Sequence, residues 1–197
     1  MNFLFHLHLS GDDPDILTGN LMGDFVKGVI SDELPPALRT GLRLHRRIDS
    51  FAQTQPLFRR SKDRIDPSYG LWRGVLVDLF YDHFLAAEWR QWSQVSFDDY
   101  LRRARSMVEG NRSYLPERLQ GILGVIFDEL LPSYRKVEGI GGALERMARR
   151  VRRSNPLPGA ENELLRNYAG LAEDFRAFLP IVQAFSEEFL NNHLKGV

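Results

Sequence analysis

Seven side chains able to bind a metal or move a proton interrupt otherwise apolar helical patterns: His6, Asp24, His45, Asp49, Asp78, Asp82 and His83. The three-four spacing of a helix places Leu38, Leu42, His45 and Asp49 on one stripe, which begins apolar and ends in an imidazole and a carboxylate one turn apart. Leu71, Val75, Asp78, Asp82, Leu85 and Trp89 form a second stripe, broken by two carboxylates, and the adjacent face carries Leu76, Phe80, His83 and Ala87. Leu17, Leu21, Asp24 and Gly28 form a third. His6 lies in the apolar start of the chain; His8 is about 200° round a helix from it, so the two do not face one site. Two unpaired carboxylates buried together cost several kcal/mol each or force protonation, so a positive group is expected between Asp78 and Asp82.

Each of these residues read alone fits a core polar group satisfied by a carbonyl or an arginine. Read together they fit a divalent metal site, because helical bundles hold ions with imidazoles and carboxylates from different helices. A metal-free acid–base pair accounts for one His–Asp couple and leaves the other carboxylates unneutralised. With no cysteine in the chain, thiolate ligation, iron–sulfur clusters and disulfides are excluded. Mixed nitrogen and oxygen ligation suits Mn²⁺, Mg²⁺, Fe²⁺ or Zn²⁺, and an oxygen-rich octahedral set favours the first two.

The cations are chosen unevenly. Of the 26 basic residues, 22 are Arg and 4 are Lys. Arginine favours bidentate binding of phosphate and carboxylate. Arg46 and Arg47 share a helix with His45 and Asp49, which makes them the candidates for gripping a phosphate. Arg146, Arg149, Arg150, Arg152 and Arg153 form a dense basic cluster, while Arg102, Arg103 and Arg105 read as a solvated helix face.

Helices must position all of this. Periodicity predicts helices over about 2–9, 15–29, 36–51, a short one from Thr54, a long one over 69–92, then 97–109, 116–131, 143–153, and a last one over 160–192 bent at Pro180. No strand pattern is present. The expectation is an all-α, single-domain helical bundle spanning 1–197. The 197 residues carry 26 basic and 26 acidic side chains, a neutral total that gives no support to bulk nucleic-acid binding. Residues 1–100 are net −3 and residues 101–197 net +3. No stretch reaches the ~20 apolar residues of a membrane helix, and the start lacks the basic region of a signal peptide; the expectation is a cytoplasmic protein that engages neither membrane nor nucleic acid.

Several of these segments, in order, resemble the bacterial acyl carrier protein phosphodiesterases: Met1-Asn2-Phe3-Leu4 with His6-Leu7, Gly19-Asn20-Leu21 with Gly23-Asp24-Phe25-Val26, His45-Arg46-Arg47-Ile48-Asp49, and Asp82-His83-Phe84-Leu85. Tyr134, Glu138-Gly139-Ile140 and Met147 are similar as well. The resemblance implies an all-helical fold related to the HD metal-dependent phosphohydrolases. It also implies Mn²⁺-supported hydrolysis of the phosphodiester joining 4′-phosphopantetheine to a serine of holo-acyl carrier protein. In place of the His-Asp order of HD enzymes this chain has Asp82-His83, and His45 is followed by Arg. Helix faces and family motifs together assign His6, Asp24, His45 and Asp82 to the metal (Mn²⁺, with Mg²⁺ or Fe²⁺ as alternatives). They assign Asp49, Asp78 and His83 to orienting, proton transfer or a second ion, and Arg46 and Arg47 to phosphate. An acidic carrier protein would dock on Arg146, Arg149, Arg150 and Arg153, with Arg59 and Arg60 as a second patch. Two other readings stay open at this point: a metal phosphohydrolase of nucleotides or small phosphoesters, and a non-enzymatic Arg-rich helical module.

Overall fold

Helix α5 (Trp72–Ala87) runs through the middle of the protein, and its residues Leu76, Val77, Leu79 to Ala86 are all buried. A helix apolar nearly all round has to be central, as its stripes imply. The computed structural model describes residues 1–151 and 153–194. α1 (Phe3–His8) and α4 (Pro56–Arg64) pack against α5, while α2 (Pro14–Met22) packs on α1 and α3 (Pro36–Thr54). They are followed by α6 (Trp89–Trp92), α7 (Phe97–Gly110), α8 (Glu117–Gln120), a π-helical turn at Val125–Leu130, α9 (Leu131–Ser133), α10 (Val137–Arg150), α11 (Glu161–Arg166) and α12 (Tyr168–Leu194). The fold is all-α; among the described residues there is no strand. None of the described helices is long and apolar enough to cross a membrane.

Most starts follow local chemistry. Asp13 caps α2 by accepting from the amides of Asp15 and Ile16, Ser96 caps α7 from Asp99, and prolines open α2, α3 and α4. Departures from the sequence reading have local causes too. The second helix stops at Met22 instead of running to 29, because the chain turns at Gly23 and reaches Gly28 with φ +76°. Asp24 therefore stands on a loop and is partly exposed. The long helix breaks at Glu88, and Leu71 is an exposed residue before α5 rather than the head of its stripe. The expected 116–131 helix is split by the π-turn, and the last helix divides at Asn167, with Pro180 inside α12.

The crossing of α2 and α3 sets the site. Gly19 and Gly41 meet so closely that a Cβ on either would lie 2.2 Å from a carbonyl oxygen of the other helix (Leu38 O and Ile16 O). Only glycine allows the two backbones that near. On the far side, buried Asp174 of α12 accepts from Arg60 Nε at 2.6 Å, Ser61 Oγ at 2.9 Å and Arg64 Nε at 2.8 Å, tying α12 to α4. Arg60 is thus a structural clamp, not part of a free docking patch.

Candidate metal centre

Two imidazoles converge at this crossing. The His6 and His45 rings stack with centroids 3.8 Å apart. His6 Nδ1 donates to Asn20 Oδ1 at 2.9 Å, and His45 Nδ1 donates to the Asn20 backbone oxygen at 2.8 Å. One residue thereby fixes both tautomers, leaving the Nε2 lone pairs free on both rings. The Asn20 amide is itself oriented, since its Nδ2 donates to His6 O and Ser10 Oγ. The His45 ring fits because residue 23 is glycine: a Cβ there would fall 2.0 Å from His45 Cγ.

Asp49, one turn beyond His45, faces both rings, with Oδ1 3.3 Å from His6 Nε2 and Oδ2 3.4 Å from His45 Nε2. Ligand atoms of His6, His45 and Asp49 all lie within 4.8 Å of one another. Asp24 Oδ1 approaches His45 Nε2 at 3.8 Å from the loop after α2. Asp78 completes the cluster from α5. The Met1 α-ammonium lies 2.6 Å from Asp49 Oδ1 and 3.3 Å from Asp78 Oδ1, and is the cation found beside these carboxylates. The helix stripe calls for such a charge between Asp78 and Asp82; it lies instead between Asp49 and Asp78.

The electrostatics follow from burial and charge. Burial, helped by the neighbouring His6, lowers His45 to about 3, so its ring is neutral with a free lone pair. Burial alone would raise Asp49, but the Met1 ammonium, 2.6 Å from its Oδ1, holds it below the ordinary carboxylate range. Burial raises Asp78 against the pull of the ammonium. Burial works against the Met1 ammonium as well, yet Asp78 and Asp49 raise it to about 10.

The donor set fits a divalent cation. His6 Nε2 is buried and makes no hydrogen bond, so two imidazole lone pairs and a carboxylate face one another. Such an arrangement calls for a cation in their midst. Two imidazoles and one carboxylate leave room for water or substrate oxygens, with Asp24 at the open side.

Other expected site residues lie elsewhere. Asp82 does not join the centre: its oxygens accept from the amides of Leu4 and Phe5, both at 2.9 Å, capping α1 where the Asn2 side chain does not. His83 turns to the opposite side of α5, with Nδ1 donating to Tyr134 O at 2.8 Å and Nε2 beside Tyr168 Oη at 3.0 Å. The Asp82-His83 dipeptide therefore is no metal pair; adjacent residues on a helix diverge by about 100°. His8 points away from the centre to Gln183 and Trp89.

The arginines divide as well. Arg46 Nη2 donates to Val26 O and Gly28 O, bracing the loop that carries Asp24. Arg47 lines a separate groove between α3 and α12. Arg146 and Arg150, with Arg118 of α8, border a notch of about 200 Å³ whose wall includes Asp24, Asn2 and Tyr134. Arg146 pairs with Glu129 and Arg149 with Glu145 on the outer face; Arg153 is exposed, and Arg152 lies outside the described residues. Sequence reasoning missed Asn20 as the residue orienting both rings. Its one available signal was an amide inside the apolar helix Pro14–Met22, within a family motif.

Comparison with known proteins identifies the family of the chain. The pattern of the family described as acyl carrier protein phosphodiesterase matches residues 1–182, which contain every residue of the centre. Proteins named acyl carrier protein phosphodiesterase are 32% identical in Yersinia pestis over 91% of this chain and 94% of the relative, and 33% identical in Serratia proteamaculans over the same shares. The one from Escherichia coli O157:H7 is 32% identical over 93% of this chain and 96% of its own length. No solved structure matches. With its motifs in family order and the match running nearly end to end, the chain belongs to the acyl carrier protein phosphodiesterase family.

Proposed function

We propose that this protein hydrolyses the phosphodiester joining 4′-phosphopantetheine to a serine of holo-acyl carrier protein, releasing apo-carrier protein and phosphopantetheine. The observation that carries the reading is the convergence of His6 Nε2, His45 Nε2 and Asp49 within 4.8 Å in a chain of this family. Mn²⁺ is the proposed cation, with Mg²⁺ or Fe²⁺ as alternatives. Once bound, a divalent ion supplies Lewis acidity, making water a better nucleophile at neutral pH and neutralising phosphate charge.

The chain's residues supply position and field. Asn20 presents both imidazole Nε2 atoms, and Asp49 and Asp24 supply the negative charge that attracts a cation to them. Arg46 holds the Val26–Gly28 backbone and so keeps Asp24 opposite His45. Asp78 holds the Met1–Asp49 edge from α5. Arg118 and Arg150 have no carboxylate partner among the described residues and border the notch beside Asp24, where they can take the negative charge of a substrate phosphate. Catalysis of this kind rests on positioning and electrostatics rather than on a covalent intermediate. Arg149 and Arg153 extend the same basic face toward an acidic carrier protein.

The test is mass spectrometry of holo-carrier protein incubated with the enzyme and Mn²⁺, Mg²⁺, Fe²⁺ or Zn²⁺, beside a panel of nucleotides. Conversion to the apo mass, greatest with Mn²⁺, is expected. Turnover of nucleotides with the carrier protein left intact would replace this reading by a small-phosphoester hydrolase.

A further inference from the structure

A groove of about 920 Å³ lies between α3, the loop at Gly28–Ile30 and the end of α12. Its floor is apolar, from Ile30, Phe185 and Phe189, and Val29 stands at its lip 93% exposed. Along one edge run Arg43, Arg46 and Arg47, and Lys27 precedes Gly28 on the loop. None of these four cations has a carboxylate partner among the described residues; Glu188, also in the lining, is not within ion-pair distance of them. Arg146 and Arg149 of α10, in contrast, are both paired.

Uncompensated like charges at three- and four-residue spacing weaken a helix slightly, and a bare valine beside two phenylalanines is an apolar patch in water. Both features cost the free protein and are relieved by one kind of partner: a helix with carboxylates on one side and apolar side chains on the other. A neutral pantetheine arm would satisfy the floor but not four cations. The loop joins the groove to the metal centre, since it runs from Asp24, opposite His45, to Gly28, and Arg46 clamps it at Val26 and Gly28.

We infer that this groove seats an acidic, amphipathic helix of the carrier protein, with its carboxylates on the Arg43–Arg47 row and an apolar side chain against Phe185 and Phe189. The inference rests on the proposed function and adds where the protein substrate is held. The carrier then straddles the 24–30 loop, with its phosphodiester between this groove and the Arg118–Arg150 notch.

Arg43→Glu and Val29→Asp, each made alone in the full chain, test it by steady-state kinetics on holo-carrier protein at low and high salt. KM is expected to rise about tenfold, which corresponds to about 1.4 kcal/mol of lost binding. Added salt should narrow the gap for Arg43→Glu, while kcat and the helical circular dichroism stay as in the wild type. Unchanged KM in both variants overturns the surface, and a rise seen only for Arg149→Glu moves docking to α10. A wild type that releases no phosphopantetheine overturns the functional reading, and this surface with it; a wild type that turns over normally beside unaffected variants overturns the surface alone.

Discussion

His45 and His83 begin alike: each is a buried imidazole with a carboxylate nearby on its own helix, and each has its Nδ1 on a backbone carbonyl 2.8 Å away. They differ at the other nitrogen. His83 Nε2 meets the Tyr168 hydroxyl, whereas His45 Nε2 faces Asp49, Asp24 and the stacked ring of His6. Around His83 the buried carboxylates have protein partners, Asp82 on two amides and Asp174 on two arginines and a serine. On the His45 side lone pairs face lone pairs, and His6 Nε2 and Asp78 Oδ1 are buried without a hydrogen bond. Open polar atoms that converge on one point, as those of His6, His45 and Asp49 do, mark a place for a ligand.

The sharpest way to break the contrast is to remove one imidazole from each side. His45→Ala should abolish phosphodiester hydrolysis and Mn²⁺ binding by calorimetric titration while leaving the helical circular dichroism in place. Full activity in that variant would sink the centre. Next comes Asn20→Ala, which removes the side-chain acceptor that orients His6 and keeps the backbone carbonyl that holds His45. Losing a residue that orients ligands typically costs about 10–100-fold in metal affinity or activity. A variant that is less stable yet binds Mn²⁺ as tightly as wild type would return Asn20 to the structural side. His83→Phe should do the opposite, lowering unfolding free energy by about 1–3 kcal/mol for the buried partner left unmet. Its kcat per folded molecule should be unchanged; lost turnover without lost stability would place His83 in the reaction.

What the sequence made legible divides along the same line. Periodicity was enough to identify α3 and α5, to make α5 central and to bring His45 and Asp49 to one face, because these are properties of a single helix. Sorting Asp82 and His83 from Asp49 was beyond it. Their partners, the Leu4 and Phe5 amides and the Tyr134 carbonyl, lie 51 to 78 positions away, and no helical stripe encodes them. Asp24 was placed near the site on the premise of a helix that ends two residues before it; the α2–α3 crossing, not the stripe, brings it near His45. Arg46 and Arg47 both border the groove beside α3, but only Arg46 also holds the loop carbonyls of Val26 and Gly28, a contact no stripe encodes. Asn20 escaped because its role uses its backbone oxygen as much as its side chain, and only packing reveals that.

The smallest expected effect tests Asp82, the residue whose type most invites assignment to the metal. Burial pushes its carboxyl from 3.8 up to about 7, although the Leu4 and Phe5 amides pull the other way. Between those values the unfolded chain has lost the proton and the folded protein still holds it, so the folded state binds more protons. Stability from this group is therefore full at the acid end, falls as pH rises from about 4 to 7, and is flat above. Asp82→Asn cannot ionise and keeps an acceptor for one of the two amides. Urea unfolding across that range should show the stability difference, wild type minus variant, declining with rising pH and then levelling off. A difference that grows with pH would mean that Asp82 is held as an anion in the fold. That result would move it from the satisfied side of α5 to the charged side, beside Asp49, and would reopen its place among the ligands.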